Sequence, residues 1–230
     1  MKKEKALILF SGGQDSTTCL YWAIEKFGRK NVMALNIWYG QRHDIEVSCA
    51  EIIAKKIARV SYQIFHTNIF TDIGDSALIQ KGDVCAKHRG NENLPASFVP
   101  GRNILFLTIT AALAYKHDIL NIVTGVCQTD ASGYPDTRAT TMQKLQETLS
   151  LSMERSFKIH TPLMYRTKAE SVELAKSLFG CMEALSFSHT CYNGKYPPCR
   201  ECPSCILRAK GFKEAGIEDP LIERYKNESA

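Results

Sequence analysis

The stretch LILFSGGQDSTTCL at residues 7–20 constrains this chain more than any other. Its run of four apolar residues reads as a buried strand. The run passes through two glycines into a segment with helical spacing, where Leu20, Ala23, Ile24 and Phe27 share one face. A strand that ends in a tight turn and feeds a helix is the first half of a β–α–β unit. That unit requires a parallel sheet with helices laid over it.

The rest of the chain keeps the same alternation. The apolar pattern predicts strands at 6–10, 32–38, 60–66 and 119–124, and a first helix at 16–27 closed by Gly28. Ile45, Cys49, Ile52, Ile53 and Ile57 form the expected inner stripe of the second helix, and Met142, Leu145, Leu149 and Met153 stripe a later one. Residues 102–116 are apolar nearly all round, so a buried helix is expected there. Thr167 and Glu170 spell a capping box ahead of a helix running to Gly180. Residues 67–100 read as a long polar excursion, of the length that is usually functional or disordered.

The spelling SGGQDS is neither GxxxxGK[ST] nor GxGxxG. It still offers what a pyrophosphate needs: backbone that can approach an anion at Gly12 and Gly13, hydroxyls at Ser11 and Ser16, and a helix N-terminus behind them. A plain tight turn also favours Gly, Ser and Asp, but the position after the first strand favours the cradle.

Four of the nine cysteines crowd together as C-x7-C-x2-C-x2-C at Cys191, Cys199, Cys202 and Cys205. Four thiolates separated by Pro and Gly turns match a closed tetrahedral zinc site of structural kind. An iron–sulfur cluster and a redox-active disulfide are the competing uses. His189 reads as a residue behind the ligands or as a surface histidine. The other five cysteines read as reduced, mostly buried thiols.

With 230 residues, 44% of them apolar, the chain can bury one full core. No apolar run approaches the roughly 20 residues that cross a membrane. The start MKKEKALILF shows no small-residue cleavage site, so a cytoplasmic location is expected. A net charge of +5 suits an anionic ligand such as a nucleotide and is too mild to argue for nucleic acid.

The motif S-G-G-x-D-S after the first strand resembles the PP-loop of the N-type ATP pyrophosphatases, which split ATP between its α- and β-phosphates and transfer AMP to an acceptor oxygen. YGQRHDIE (39–46), FVPGRN (98–103), SGYPDTR (132–138), TPLMYRTKAE (161–170) and CYNGKYPPCRECPSCILRAKGF (191–212) extend the likeness over nearly the whole chain. Together they resemble the 7-cyano-7-deazaguanine synthase family. The resemblance implies an α/β fold: a Rossmann-like (adenine nucleotide alpha hydrolase-like) parallel five-stranded sheet with helices on both faces. A small C-terminal four-cysteine zinc-binding subdomain completes it, the division falling at 1–185 and 186–230. It further implies ATP, Mg2+ and Zn2+, a homodimer without direct nucleic-acid or membrane contact, and a role in queuosine biosynthesis. The implied reaction turns 7-carboxy-7-deazaguanine and ammonia into the nitrile through two adenylations at one site.

The same resemblance assigns the nucleotide to Phe10, Ser11, Gly12, Gly13, Gln14, Asp15, Ser16 and Thr17, with Asp15 as partner of a magnesium-bound pyrophosphate. Lys168 and Arg102 are expected on the phosphates. A cation in the first turn of a helix opposes the macrodipole, which favours a functional reading of Lys168; Arg102 reads equally well as a structural ion pair. A guanine-type ring offers adjacent N–H donors to a carboxylate, so Asp130 or Asp136 is the expected reader, with Tyr134 stacked on the ring. Gln41, Arg42 and His43 are expected to line the cleft, His43 either as a general base or as a structural histidine. Two rival readings stay open. A PP-loop tRNA thiolase would use a reactive thiol, Cys127 or Cys85. A nucleic-acid-binding zinc module would use Lys195, Arg200, Arg208, Lys210 and Lys213.

Overall fold

A computed structural model describes residues 4–41, 45–70, 76, 78, 83, 86–88, 91–129 and 134–228. The chain opens with β1 (Ala6–Leu9), α1 (Gln14–Phe27), β2 (Val32–Trp38) and α2 (Ile45–Glu51), which widens into a π-helical stretch (Ile52–Ile57) before β3 (Ser61–His66). A short antiparallel pair, β4 (Lys87–His88) and β5 (Asn91–Pro95), precedes α3 (Arg102–Lys116) and β6 (Asn121–Val123). Then come α4 (Ala139–Ser152), β7 (Lys158–His160), α5 (Lys168–Ser177), α6 (Cys181–Ser186), α7 (Pro203–Glu214) and α8 (Pro220–Glu228).

The main sheet is five-stranded and parallel, in the order β3-β2-β1-β6-β7. Successive residues of β1 face opposite layers. Ala6 and Ile8 join a core made with α1, α2, α5 and α6, whereas Leu7 joins one made with α3 and α4. Helices thus cover both faces, as the alternating pattern requires.

Several expectations shift. Of the predicted α2 stripe, Ile53 is fully buried and Ile57 packs against the same core, whereas Ile45, Cys49 and Ile52 are only partly buried; Ala50 and Ala54 complete the inward face. A small residue fits where α2 meets the turn after β1. Helix α3 is not buried all round: Phe106, Leu107, Thr110, Ala111 and Ala114 face the core while Ala112 and Tyr115 are exposed. The helix begun by the capping box ends at Ser177, not Gly180, because Leu178 is extended and Gly180 starts α6. The capping box itself is present, with Glu170 N–H donating to Thr167 Oγ1 at 3.2 Å and Thr167 N–H to the Glu170 carboxylate at 2.7 Å. Residues 67–100 are not wholly irregular, since β4 and β5 pair within them; much of the rest of that excursion lies outside the described residues.

Residues after α6 are tied to it by Arg208, which is 4% exposed. Its guanidinium donates to both oxygens of Asp219 at 2.7 and 2.8 Å, to Ser188 Oγ at 2.7 Å and to the Leu185 carbonyl at 3.2 Å. Buried on three sides by acceptors, this charge is paired rather than stranded. None of the helices among the described residues is long and apolar enough to cross a membrane.

Candidate active site

Strand order reverses beside β1, where the chain runs outward to β3 on one side and to β7 on the other. Open α/β sheets bind ligands at the carboxyl ends of the strands flanking such a point. Here a cavity of about 890 Å³ opens, walled by the residues after β1 and β6, by Lys168, and by the segment that carries the cysteines.

The turn after β1 is shaped by its glycines. Gly12 has φ +87°, and a Cβ there would stand 2.8 Å from the Ala50 nitrogen, so α2 is docked against bare backbone. Ser16 Oγ accepts from Gly12 N–H at 3.2 Å and lies 3.1 Å from Ser11 Oγ; Ser11 Oγ accepts from Gly13 N–H at 3.3 Å. The hydroxyls and N–H groups therefore converge within one turn, which is the donor geometry an anion uses. Gln14 is 3% exposed, lines the cavity, and its amide nitrogen has no hydrogen-bond partner among the described residues. Such a buried donor calls for an acceptor from a ligand.

Lys168 and Asp15, 153 residues apart, meet at the same place: Lys168 Nζ lies 2.8 and 3.0 Å from the two carboxylate oxygens. The misfit of a cation in the first turn of α5 is thus resolved by a carboxylate in the first turn of α1. Both side chains are mostly enclosed, at 9% and 28% exposure.

A different set of groups lines the cavity away from the turn. Arg102 donates to the Tyr39 hydroxyl at 3.4 Å, Tyr134 shares a 2.7 Å hydrogen bond with Ser97 Oγ, and Glu46 and Tyr192 face the same space. Burial pushes the Glu46 carboxyl up to about 7, against the pull of the Arg102 charge. Burial likewise raises the phenols of Tyr39 and Tyr192, so both stay neutral hydrogen-bonding groups.

The four cysteines of the C-x7-C-x2-C-x2-C run come together with their sulfurs within 4.8 Å of one another. Cys202 caps the start of α7, and Cys205 sits in its first turn. Donors already point at this sulfur cluster: Cys202 N–H lies 3.3 Å and Asn193 Nδ2 3.5 Å from Cys199 Sγ. The hydrogen bond shared by Cys202 and Cys205 pulls the Cys202 thiol down and pushes Cys205 up. Four thiols converging on one point fit a metal ion.

The expected residues divide in space. Phe10, Ser11, Gly13, Gln14, Asp15 and Ser16 line the cavity, as do Gln41, Arg102, Tyr134 and Lys168. Thr17 is fully buried within α1, outside the lining. Asp136 is also off the cavity: one carboxylate oxygen accepts from Asn103 N–H at 3.1 Å, capping the first turn of α3. Arg42, His43, Asp130 and Cys85 lie outside the described residues. His189 is no surface residue, being 1% exposed, with its backbone N–H donating to the Gly12 carbonyl at 3.1 Å. Cys127 is buried, its sulfur 3.0 Å from Thr129 Oγ1 and 3.3 Å from the Arg166 carbonyl. Of the five cations near the cysteines, Lys195, Arg208 and Lys210 are each paired with an acidic residue. Glu46, Tyr39 and Tyr192 escaped the sequence reading; Glu46 closes the stretch YGQRHDIE, and that was its only local signal.

Fold and site together define a nucleotide-binding α/β protein with a glycine turn at the switch point and a separate four-thiol cluster. Residues 5–216 match the family model described as queuosine biosynthesis protein QueC, and the chain belongs to that family. It is 51% identical over 227 residues to the 7-cyano-7-deazaguanine synthase of Chromobacterium violaceum, covering 98% of this chain and 96% of that one. It is 50% identical to the synthase of that name from Laribacter hongkongensis (96% and 95% covered) and 46% identical to that from Lysinibacillus sphaericus (93% and 96% covered).

Proposed function

We propose that the chain is an ATP-dependent carbon–nitrogen ligase that converts 7-carboxy-7-deazaguanine and ammonia into 7-cyano-7-deazaguanine for queuosine biosynthesis. The observation that carries this reading is the Lys168–Asp15 pair beside the Gly12–Ser16 turn, at one end of a cavity large enough for a nucleotide and a second ring. A carboxylate attacks the α-phosphorus of ATP unaided, so the protein supplies position and charge neutralisation instead of a nucleophile. The turn residues Ser11 to Ser16 take the leaving pyrophosphate, and Lys168 offsets its charge. The Asp15 carboxylate, an oxygen donor at the same spot, fits a Mg2+ ion, which when bound neutralises phosphate charge.

We assign Arg102 to the carboxylate of the acceptor and Tyr134 to the face of its ring; their setting among Tyr39 and Tyr192 supports this. Asp136 gives one carboxylate oxygen to the cap of α3; Asp130 or Asp136 is kept as the expected reader of the ring edge, and Gln41 lines the cavity wall. Ammonia then displaces AMP to give the amide, and a second adenylation, on the amide oxygen, leads to the nitrile.

For the four-thiol cluster we assign Zn2+, held by Cys191, Cys199, Cys202 and Cys205. All four positions are protein sulfur, so its contribution is structural, holding the start of α7. We keep the division at 185/186, the homodimer and the cytoplasmic location as parts of this proposal. Mass spectrometry of the metal-replete protein with the deazaguanine acid, ammonium, Mg2+ and ATP tests the function. Nitrile together with AMP is the expected result; ADP, or AMP without change to the base, would overturn it. Metal analysis of the purified protein is expected to find one zinc per chain, lost on Cys202→Ser.

A further inference from the structure

On the function proposed above, nitrogen must shed protons inside the cavity. When ammonia attacks the acyl carbon, a C–N bond forms, the C–O bond to AMP breaks, and one N–H proton leaves. In the second round the amide oxygen attacks the α-phosphorus and pyrophosphate departs. Collapse of the activated amide then breaks the C–O bond to AMP, forms the C≡N bond and releases two N–H protons. Three protons leave per nitrile, and something in the cavity must take them.

Few groups there can. Lys168 and Arg102 are cations with no lone pair to offer, and the hydroxyls are poor bases. Among the described residues lining the cavity the carboxylates are Asp15 and Glu46, and Asp15 is held in its two contacts with Lys168. The Cys127 sulfur is engaged with the Arg166 carbonyl, and the His189 imidazole, 1% exposed and lining the same cavity, is the rival acceptor that the test below separates from Glu46.

Glu46 is also in the right neighbourhood. Ala50 touches the backbone of Gly12 in the phosphate turn. Glu46 precedes Ala50 by four residues, hence on the same face of α2 and about 6 Å back along it. That puts it one helical turn from the phosphate site, on the side where the charge of Arg102 reaches it. We propose that Glu46 is the catalytic proton acceptor for the reacting nitrogen. Its proton affinity suits the task, since a carboxyl raised to about 7 accepts a proton and returns it to solvent near neutral pH. The titratable groups around it are Arg102 on α3, Tyr39 after β2, Tyr192 beyond Cys191, and Cys49 on its own helix. The phenols and the thiol stay neutral through this range, burial raising all three.

The test is Glu46→Gln in the full-length, metal-replete protein, with turnover followed against pH at fixed free ammonia. Wild-type turnover is expected to rise with pH through a limb near 7. The variant is expected to lose the limb, to fall about 10²- to 10⁴-fold in kcat, and to keep its KM for ATP within about threefold. Glu46→Asp is expected to retain the limb at lower kcat, and it carries the test if Glu46→Gln does not fold. Because the fold raises the pKa of Glu46, its charged form costs stability above the ordinary carboxylate range. The glutamine variant should therefore melt no lower than wild type at pH above about 7, whereas a strut paired to Arg102 would lower the melting temperature when removed. A limb that persists in Glu46→Gln, a loss in kcat below about threefold, a change confined to the KM for the deazaguanine, or loss of the limb in His189→Gln instead would each overturn the proposal. Failure of the wild type to release AMP from the deazaguanine acid would instead remove the functional reading on which it rests.

Discussion

One short stretch, Phe10, Ser11 and Gly13 to Ser16, lines most of the phosphate end of the cavity, whereas Tyr39, Glu46, Arg102, Tyr134 and Tyr192 reach the other end from five separate segments. The first end is chiefly backbone: glycine at φ +87°, N–H groups and two hydroxyls gathered in one turn. The second is chiefly side chain, and its spacing is set by how α2, α3 and the segment after Cys191 dock. Damage at the phosphate end should therefore abolish ATP scission for any acceptor. Damage at the other end should change how one acceptor is held.

At the phosphate end the largest effect is expected from Lys168→Ala, which removes the cation at the phosphates and leaves Asp15 without its partner. AMP release should fall about 10²- to 10³-fold at unchanged fold, measured by nucleotide analysis beside circular dichroism. Gly211→Ala sharpens the comparison next. Helix α7, whose start carries two of the cysteines, runs past Lys168 so closely that a Cβ at Gly211 would lie 2.4 Å from Lys168 Cγ and 3.2 Å from its carbonyl carbon. A methyl there must push the lysine stem off Asp15, and turnover is expected to drop about 10- to 100-fold while the metal stays bound. Unchanged turnover would show that the two ends are independent of the four-thiol segment.

At the acceptor end, Arg102→Gln should raise the KM for the deazaguanine acid about 10-fold, the loss of one charge-assisted hydrogen bond, with the KM for ATP unmoved. Equal rises in both would place Arg102 with the phosphates and blur the division. The smallest effect belongs to Asp136→Ala. Losing the cap on Asn103 N–H should cost about 1 kcal/mol, seen as a melting temperature lower by about 2–4 °C, with substrate affinity intact.

The same contrast governs what could be read from the chain. The glycine turn, the Thr167–Glu170 capping box and the four cysteines are contiguous, so each announces its chemistry within a few residues. The strands β1, β2, β3 and β6 and their parallel sense also followed from the alternation, though not their order in the sheet. The residues of β7, Lys-Ile-His, form no apolar run to announce a strand, and α2 buries Ala50 and Ala54 beside the predicted Ile53 while Ile45, Cys49 and Ile52 stay partly buried. Asp136 was expected on the ring edge because its loop follows β6, but the nearby N-terminus of α3 claimed one of its oxygens. Glu46 was passed over because a glutamate in a first helical turn is ordinarily solvated; only the approach of α3 and the segment after Cys191 encloses it.

The central claim is that the acceptor's own carboxylate oxygens attack ATP at the α-phosphorus. Conversion of 7-carboxy-7-deazaguanine labelled with ¹⁸O in both carboxylate oxygens tests it most directly, with mass analysis of AMP and pyrophosphate. The account predicts that each AMP carries one labelled oxygen, the first from the acid and the second from the amide, and that pyrophosphate carries none. Unlabelled AMP, or label leaving in phosphate, would contradict it.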